Sequence, residues 1–155
     1  MLIRPITPEE IPLLEDYLYL AIFVPDGEDP PPRSILEKPE LRVYLDGFGE
    51  SPHDRCLVAE KDGKVVGAVW TRIMDDYGHV DDETPSFAIS LLPEARGQGT
   101  GTALMKAMLT QLKEAGYRKA SLAVQKRNYA VRLYRSVGFE TVAENKEEYI
   151  MLCHL

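Results

Sequence analysis

The residues Arg96-Gly97-Gln98-Gly99-Thr100-Gly101 combine a fixed positive charge with three alternating glycines. They stand between the apolar run "SFAISLL" and a segment in which Leu104, Met108 and Leu112 recur every four residues, with Met105 and Leu109 beside them. A strand that turns directly into a helix leaves the first helical N–H groups without acceptors, at the positive end of the helix dipole. Glycine lets that backbone approach a ligand and take dihedrals closed to other residues, and an arginine keeps its charge near neutral pH. Such a turn binds an anion, and a pyrophosphate meets its requirements. Glycine costs a helix roughly 1 kcal/mol relative to alanine, so three at a helix start argue against a plain surface turn.

Spacing excludes two familiar phosphate loops. The Walker A pattern needs a Lys-Ser/Thr pair after its last glycine, where this chain has Thr102-Ala103. The dinucleotide fingerprint needs GxGxxG and an acidic residue ending the next strand. Here the glycines are spaced GxGxG and that strand ends in Gln125-Lys126.

The elements that must hold this turn can be read around it. "CLVAEKDGKVVGAVWTRI" predicts two antiparallel strands, Cys56 to Glu60 and Lys64 to Ile73, joined by a tight turn at Asp62-Gly63. A third, mostly buried strand ends at Leu92, a helix runs from Gly99 to Ala115, and Gly116 caps it. "KASLAVQ" follows as a strand, "NYAVRLYRSVG" as a short helix capped by Asn128 and Gly138, and "FETVAE" and "EYIMLCH" as closing strands. Strand, helix and strand through residues 86–125 imply a parallel pair with a right-handed crossover inside an otherwise antiparallel sheet. In the second helix, Ala130, Leu133 and Val137 are expected to face the sheet.

The N-terminal third differs. Thr7 as N-cap, Pro8 at the first position and Glu10 completing a capping box predict one helix, and Pro39 to Gly47 predicts another. Between them Pro30, Pro31 and Pro32 fix extended backbone. Two helices around a stiff loop read as a lid or wall rather than as central core. The aromatic and acidic residues here, Tyr17, Tyr19, Phe23, Asp26, Tyr44 and Phe48, suit an ammonium group, as does the Asp75 to Glu83 loop.

Composition narrows the function classes. A chain of 155 residues with net charge −7 fits one domain and one active site, and lacks the basic face of a general nucleic-acid binder. Its acidity is better suited to cationic small molecules. No apolar run is long enough for a membrane span and nothing at the N-terminus reads as a signal peptide, so a cytoplasmic location is expected. Cys56 and Cys153 read as buried thiols, and His53, His79 and His154 have no metal-ligand spacing, so no metal is expected.

Arg96 to Gly101 matches RxxGxG, the acyl-CoA pyrophosphate loop of the GNAT superfamily of N-acyltransferases. The chain resembles that family again after the next strand, where an Asn starts a short helix that carries a tyrosine and ends in Gly-Phe: Asn128, Tyr134, Gly138 and Phe139. The match covers about residues 56–155. It implies a mixed α/β (α+β) GNAT fold, a mostly antiparallel sheet with one parallel, splayed strand pair flanked by helices. Residues 1–155 would be a single domain, with 1–55 a helical substrate-side region and 56–155 the acyl-CoA-binding core.

The resemblance also implies acetyl-CoA as cosubstrate. Arg96, Gly97, Gln98, Gly99, Thr100, Gly101 and Thr102 would cradle its phosphates, the backbone of Leu91 and Leu92 would pair with the pantetheine arm, and Asn128 would be a further ligand. Leu91 and Leu92 read equally as core, and Asn128 equally as a plain N-cap. Tyr134 is implied as the general acid that protonates the departing thiolate, against the alternative of a tyrosine packed on Ala130. Many members of the family carry a glutamate on the strand before the loop as base, and "SFAISLL" has no carboxylate. That leaves Asp81, Asp82 and Glu83, with His79 and Tyr77 nearby, and Phe23, Asp82 and Glu83 are the candidate acceptor contacts. The expected reaction is acetyl transfer to a primary amine of a small molecule or peptide by direct attack in a ternary complex. A non-catalytic acyl-CoA sensor or interaction module is the competing reading, and a homodimer is common among similar proteins.

Overall fold

The computed structural model describes residues 1–155. Seven strands form one sheet: β1 (Leu2–Pro5), β2 (Arg55–Lys61), β3 (Lys64–Arg72), β4 (Ser86–Leu91), β5 (Lys119–Gln125), β6 (Glu140–Glu144) and β7 (Glu148–His154). Their spatial order is β1-β2-β3-β4-β5-β7-β6. Every neighbouring pair is antiparallel except β4 and β5, which are parallel and meet only at Ser86 and Ser121. The mixed sheet with a splayed parallel pair is the expected architecture. Asp62 and Gly63, at φ of 52° and 78°, close the β2–β3 hairpin as the dipeptide predicts.

Both faces of the sheet are covered, which is why its central strands read as nearly unbroken apolar runs. On one face Leu57, Val69, Phe87, Leu122 and Met151 pack under α3 (Thr100–Glu114) and α4 (Ala130–Ser136). Leu104, Met105, Met108 and Leu112 of α3 are fully buried there, as their spacing predicts. On the other face Cys56, Val58, Ala68, Trp70 and Ala88 pack against Leu14, Tyr17 and Leu18 of α1 (Leu13–Ala21) and against Leu36.

This second cluster corrects the reading of the N-terminal third. The segment supplies an edge strand, β1, and a buried half of the core rather than only a lid. The Thr7–Glu10 capping box forms, with the Thr7 N–H donating to Glu10 Oε1 at 3.0 Å. It opens a single 3-10 turn, Pro8–Glu10, instead of the long helix. Pro12 has no N–H to continue an i→i−4 ladder, so the α-helix begins only after it. The second predicted helix is likewise short, α2 (Pro39–Arg42), with hydrogen-bonded turns running on to Phe48. In α4 the buried residues are Val131 and Tyr134, one turn apart, while Ala130, Leu133 and Val137 are only half-buried beside them.

Candidate active site

Splaying creates the site. Leu92 N–H donates to Val66 O at 2.9 Å, so by the alternation of an antiparallel ladder the N–H and C=O groups of Ile89 and Leu91 point the other way, toward β5. On that side pairing stops at Ser86–Ser121, with Ser121 N–H donating to Pro85 O at 2.9 Å. Backbone groups of Ile89 and Leu91 therefore face an open gap, where an extended amide-bearing chain can pair with them. Gly67 lies opposite Leu91 in β3, and a Cβ there would come within 2.3 Å of Leu91 Cδ2. The absence of a side chain at 67 lets Leu91 fold back over the sheet and keeps the gap clear.

At the open end of the gap the chain makes the glycine turn. Gly97 and Gly99 have φ of 74° and 83°, a region that favours glycine, and Gly99 is the N-cap of α3. The first main-chain bond of α3 runs from Ala103 N–H to Gly99 O at 3.1 Å, and the N–H groups from Gly97 to Thr102 donate to no protein acceptor. Successive free donors at a helix N-terminus are an anion site. The Arg96 side chain is exposed beside them. Gln98 is turned back, its Nε2 donating to Glu94 O at 3.1 Å, Thr100 is buried and Thr102 half-buried.

A cavity of about 800 Å³ joins these parts. It brings together Leu91, Arg96, Gly101, Asn128, Tyr134 and Phe23 from the sequence reading, with Ile89, Tyr19 and Pro31 among the remaining walls. Asn128 Oδ1 accepts the N–H of Ala130, the first residue of α4, at 2.9 Å, so it braces the turn before that helix and lines the cavity at once. The Tyr134 ring is buried edge-on against Phe139, with centroids 6.3 Å apart. Burial alone pushes its phenol up to about 12, with no hydrogen bond or charge contributing. The hydroxyl is thus protonated throughout the neutral range and free to donate into the cavity.

Other candidates lie elsewhere. Leu92 is half-buried, packed against the edges of both core clusters, and the cavity does not include it. Asp82 is 95% exposed, 3.3 Å from His79 Nε2, and Glu83 is exposed on the same turn, so the cavity includes neither. Asp81 is held by Lys119 at 2.9 Å and by Thr84, which keeps its carboxyl well below the usual range. Tyr17 is buried with its hydroxyl donating to Val65 O, Tyr44 donates to Asp76 Oδ2 at 3.1 Å, and Phe48 lies under the Arg72 guanidinium. Tyr19 and Phe23 do face the cavity, from the wall where α1 ends and the prolines begin; Tyr19 donates to Pro31 O. Ile89 was not singled out by the sequence reading, because only its main chain matters and its side chain reads as ordinary core.

A model described as the acetyltransferase (GNAT) family matches residues 19–139. The chain belongs to the GNAT acetyltransferase family. It is 38% identical over 131 residues to the mycothiol acetyltransferase of Nocardiopsis dassonvillei, which is 81% of this chain and 39% of that protein. This GNAT chain therefore spans about two fifths of that relative's length. Among solved structures it is similar to the ribosomal-protein-alanine N-acetyltransferase of Brucella melitensis, with a TM-score of 0.71 at 22% identity over 100% of both chains. It is also similar to the PaiA N-acetyltransferase of Thermoplasma acidophilum in complex with coenzyme A, with a TM-score of 0.72, 17% identity and coverage of 99% and 98%. At such identities the likeness shows the GNAT fold. No helix is long and apolar enough to cross a membrane.

Proposed function

We propose that this protein transfers the acetyl group of acetyl-CoA to a primary amine of a small molecule or peptide, by direct attack in a ternary complex. The observation that carries the reading is the unbroken run of unpaired N–H groups from Gly97 to Thr102, opening onto the gap that Ile89, Leu91 and Tyr134 border. Acetyl-CoA supplies a thioester whose carbonyl carbon accepts the amine and whose sulfur leaves as a thiolate. The Gly97–Thr102 donors and Arg96 hold its pyrophosphate, and the open edge at Ile89 and Leu91 takes the pantetheine amides. A main-chain N–H at this edge also steadies the oxygen on which negative charge develops.

Tyr134 donates its proton to the sulfur as the C–S bond breaks. A phenol near 12 giving a proton to a thiolate of ordinary pKa is roughly 3 to 4 pK units uphill. The transfer is therefore coupled to loss of a proton from the amine nitrogen, which restores the phenol. Supporting relatives act, by name, on mycothiol and on ribosomal-protein alanine, and both reactions fit an amine acceptor. The free thiols of Cys56 and Cys153 agree with a cytoplasmic setting.

The test is a calorimetric titration with acetyl-CoA, with NAD and ATP as controls. It is followed by thiol release on a panel of spermidine, 2-phenylethylamine and a peptide with a free N-terminal alanine. Selective acetyl-CoA binding and turnover of at least one amine are expected. Tyr134→Phe is expected to lower kcat about 100-fold while leaving acetyl-CoA affinity unchanged. Wild-type rates for that variant across the pH range would remove Tyr134 from the chemistry, and acetyl-CoA binding without any turnover would mark a sensor instead.

A further inference from the structure

The gap between β4 and β5 closes at Ser86 and Ser121, and the turn Asp76–His79 lies across that closing point. His79 N–H donates to Asp76 O at 3.1 Å, and Ser121 Oγ donates to Gly78 O at 2.7 Å. Contact with β5 is close: a Cβ on Gly78 would stand 3.0 Å from both Leu122 C and Ala123 N. Ser86 shares its face of the sheet with Ala88 and Ser90, and Ser90 Oγ donates to Tyr17 O of α1 at 2.6 Å. The turn therefore sits on the α1 side of the sheet, the side on which Tyr19, Phe23 and Pro31 wall the cavity, and it lies just past that cavity's lining, which reaches along β4 to Ile89.

One carboxylate is fixed at this point. Asp76 Oδ1 accepts from Ser86 Oγ at 3.0 Å, and Oδ2 accepts from Tyr44 Oη at 3.1 Å, so β4 and the segment after α2 each hold one oxygen. No cation pairs with it, in contrast to Asp81, which Lys119 occupies. Burial raises its carboxyl above the usual range, and the donors Ser86 and Tyr44 limit the rise. The titratable group bonded to it is the Tyr44 phenol, itself pushed up by burial and by Asp76, and the charge of Glu148 on β7 bears on Tyr44 from farther off. On the turn itself Asp75 and Tyr77 are exposed, and His79 Nε2 faces Asp82.

We propose that Asp76 is the base that takes a proton from the acceptor's ammonium group at the closing point of the gap, with Tyr44 and Ser86 as its positioning residues. This rests on the acetyltransferase reading. The protons balance: the ammonium gives one proton to the Asp76 carboxylate, which releases it to solvent. The free amine then forms the C–N bond as the C–S bond breaks, and its second proton replaces the one Tyr134 gives to sulfur. Asp76 occupies the role that the missing β4 carboxylate leaves open, from the loop that leads into β4, 10 residues before the strand's first residue and bonded to it.

The test is the pH profile of kcat/KM with whichever amine of the panel turns over fastest. Wild type is expected to lose activity with unit slope below the Asp76 pKa. Asp76→Asn keeps groups able to bond Tyr44 and Ser86. It is expected to lose about 100-fold at pH 7 and to climb log-linearly with pH toward the amine's own pKa, with unchanged acetyl-CoA affinity. Tyr44→Phe removes a donor to the carboxylate and is expected to move the acidic limb to higher pH. Should Asp76→Asn be too unstable to assay, that shift carries the test. An Asp76→Asn rate equal to wild type, or reduced by one factor at every pH, overturns the proposal, as does an acidic limb that Tyr44→Phe leaves in place. Absence of acetyl-CoA binding by the wild-type protein instead overturns the acetyltransferase reading itself.

Discussion

The two ends of the β4–β5 gap are built from different materials. At the open end, the anion cradle is main chain: consecutive N–H groups of Gly97 to Thr102, supplied by one local stretch and shaped by two positive-φ glycines. At the closed end, the acidic site is side chains from separate segments, with Tyr44 after α2, Asp76 in the β3–β4 loop and Ser86 on β4. A main-chain site is encoded by the dihedrals that its own residues permit, and it survives substitution around it. A side-chain site depends on the packing of distant elements, so a change in any one of them can disturb it.

That contrast can be broken first at the closed end. Arg72, at the end of β3, bonds Asp54 at 3.0 and 3.3 Å and Val43 O at 3.0 Å, with Asp54 only 2% exposed. Asp54→Ala leaves the guanidinium half-buried without its partner and is expected to cost about 3 kcal/mol in urea unfolding. Since Arg72 ties the segment carrying Tyr44 to the sheet, kcat should fall while acetyl-CoA affinity holds. A loss of acetyl-CoA affinity as large as the loss of kcat would show that the two ends are one unit.

The open end is the next largest. A Cβ on Gly99 would meet nothing within 4 Å, but its φ of 83° is strained for any other residue. Gly99→Val is expected to cost stability about 1–2 kcal/mol and to weaken acetyl-CoA binding at least about 10-fold, by re-aiming the N–H groups. Unchanged binding by calorimetry would mean that the cradle's shape does not depend on this glycine.

The smallest effect belongs to the first turn of the chain, which contributes no wall to the cavity. Glu10 accepts from Arg4 at 2.8 Å and from Thr7 N–H at 3.0 Å, and these bonds lower its carboxyl to about 2. A depressed folded-state pKa stabilises the protein above the unfolded value of about 4.5, and that contribution fades as pH falls toward 2. Glu10→Gln should thus lower the urea midpoint slightly at pH 7, and the difference should shrink between pH 4.5 and 2. A difference that persists at pH 2, or any change in turnover at pH 7, would contradict this.

What the residues determined on their own is the local part. Leu104, Met105, Met108 and Leu112 define the buried face of α3, Asp62-Gly63 makes the hairpin, and the Arg96–Gly101 turn forms an anion nest, because each follows from periodicity or from backbone dihedrals within a short window. Tertiary structure decided the rest. Leu14, Tyr17 and Leu18 became core because the second sheet face needed a cover. Ile89 gained an unpaired main chain only because β5 diverges from β4. Asp76 was one acidic residue among several until folding set it against Tyr44 and Ser86. Its desolvation and its hydrogen bonds are properties of what surrounds it, and neighbours brought from 32 and 10 residues away leave no spacing to read in the chain.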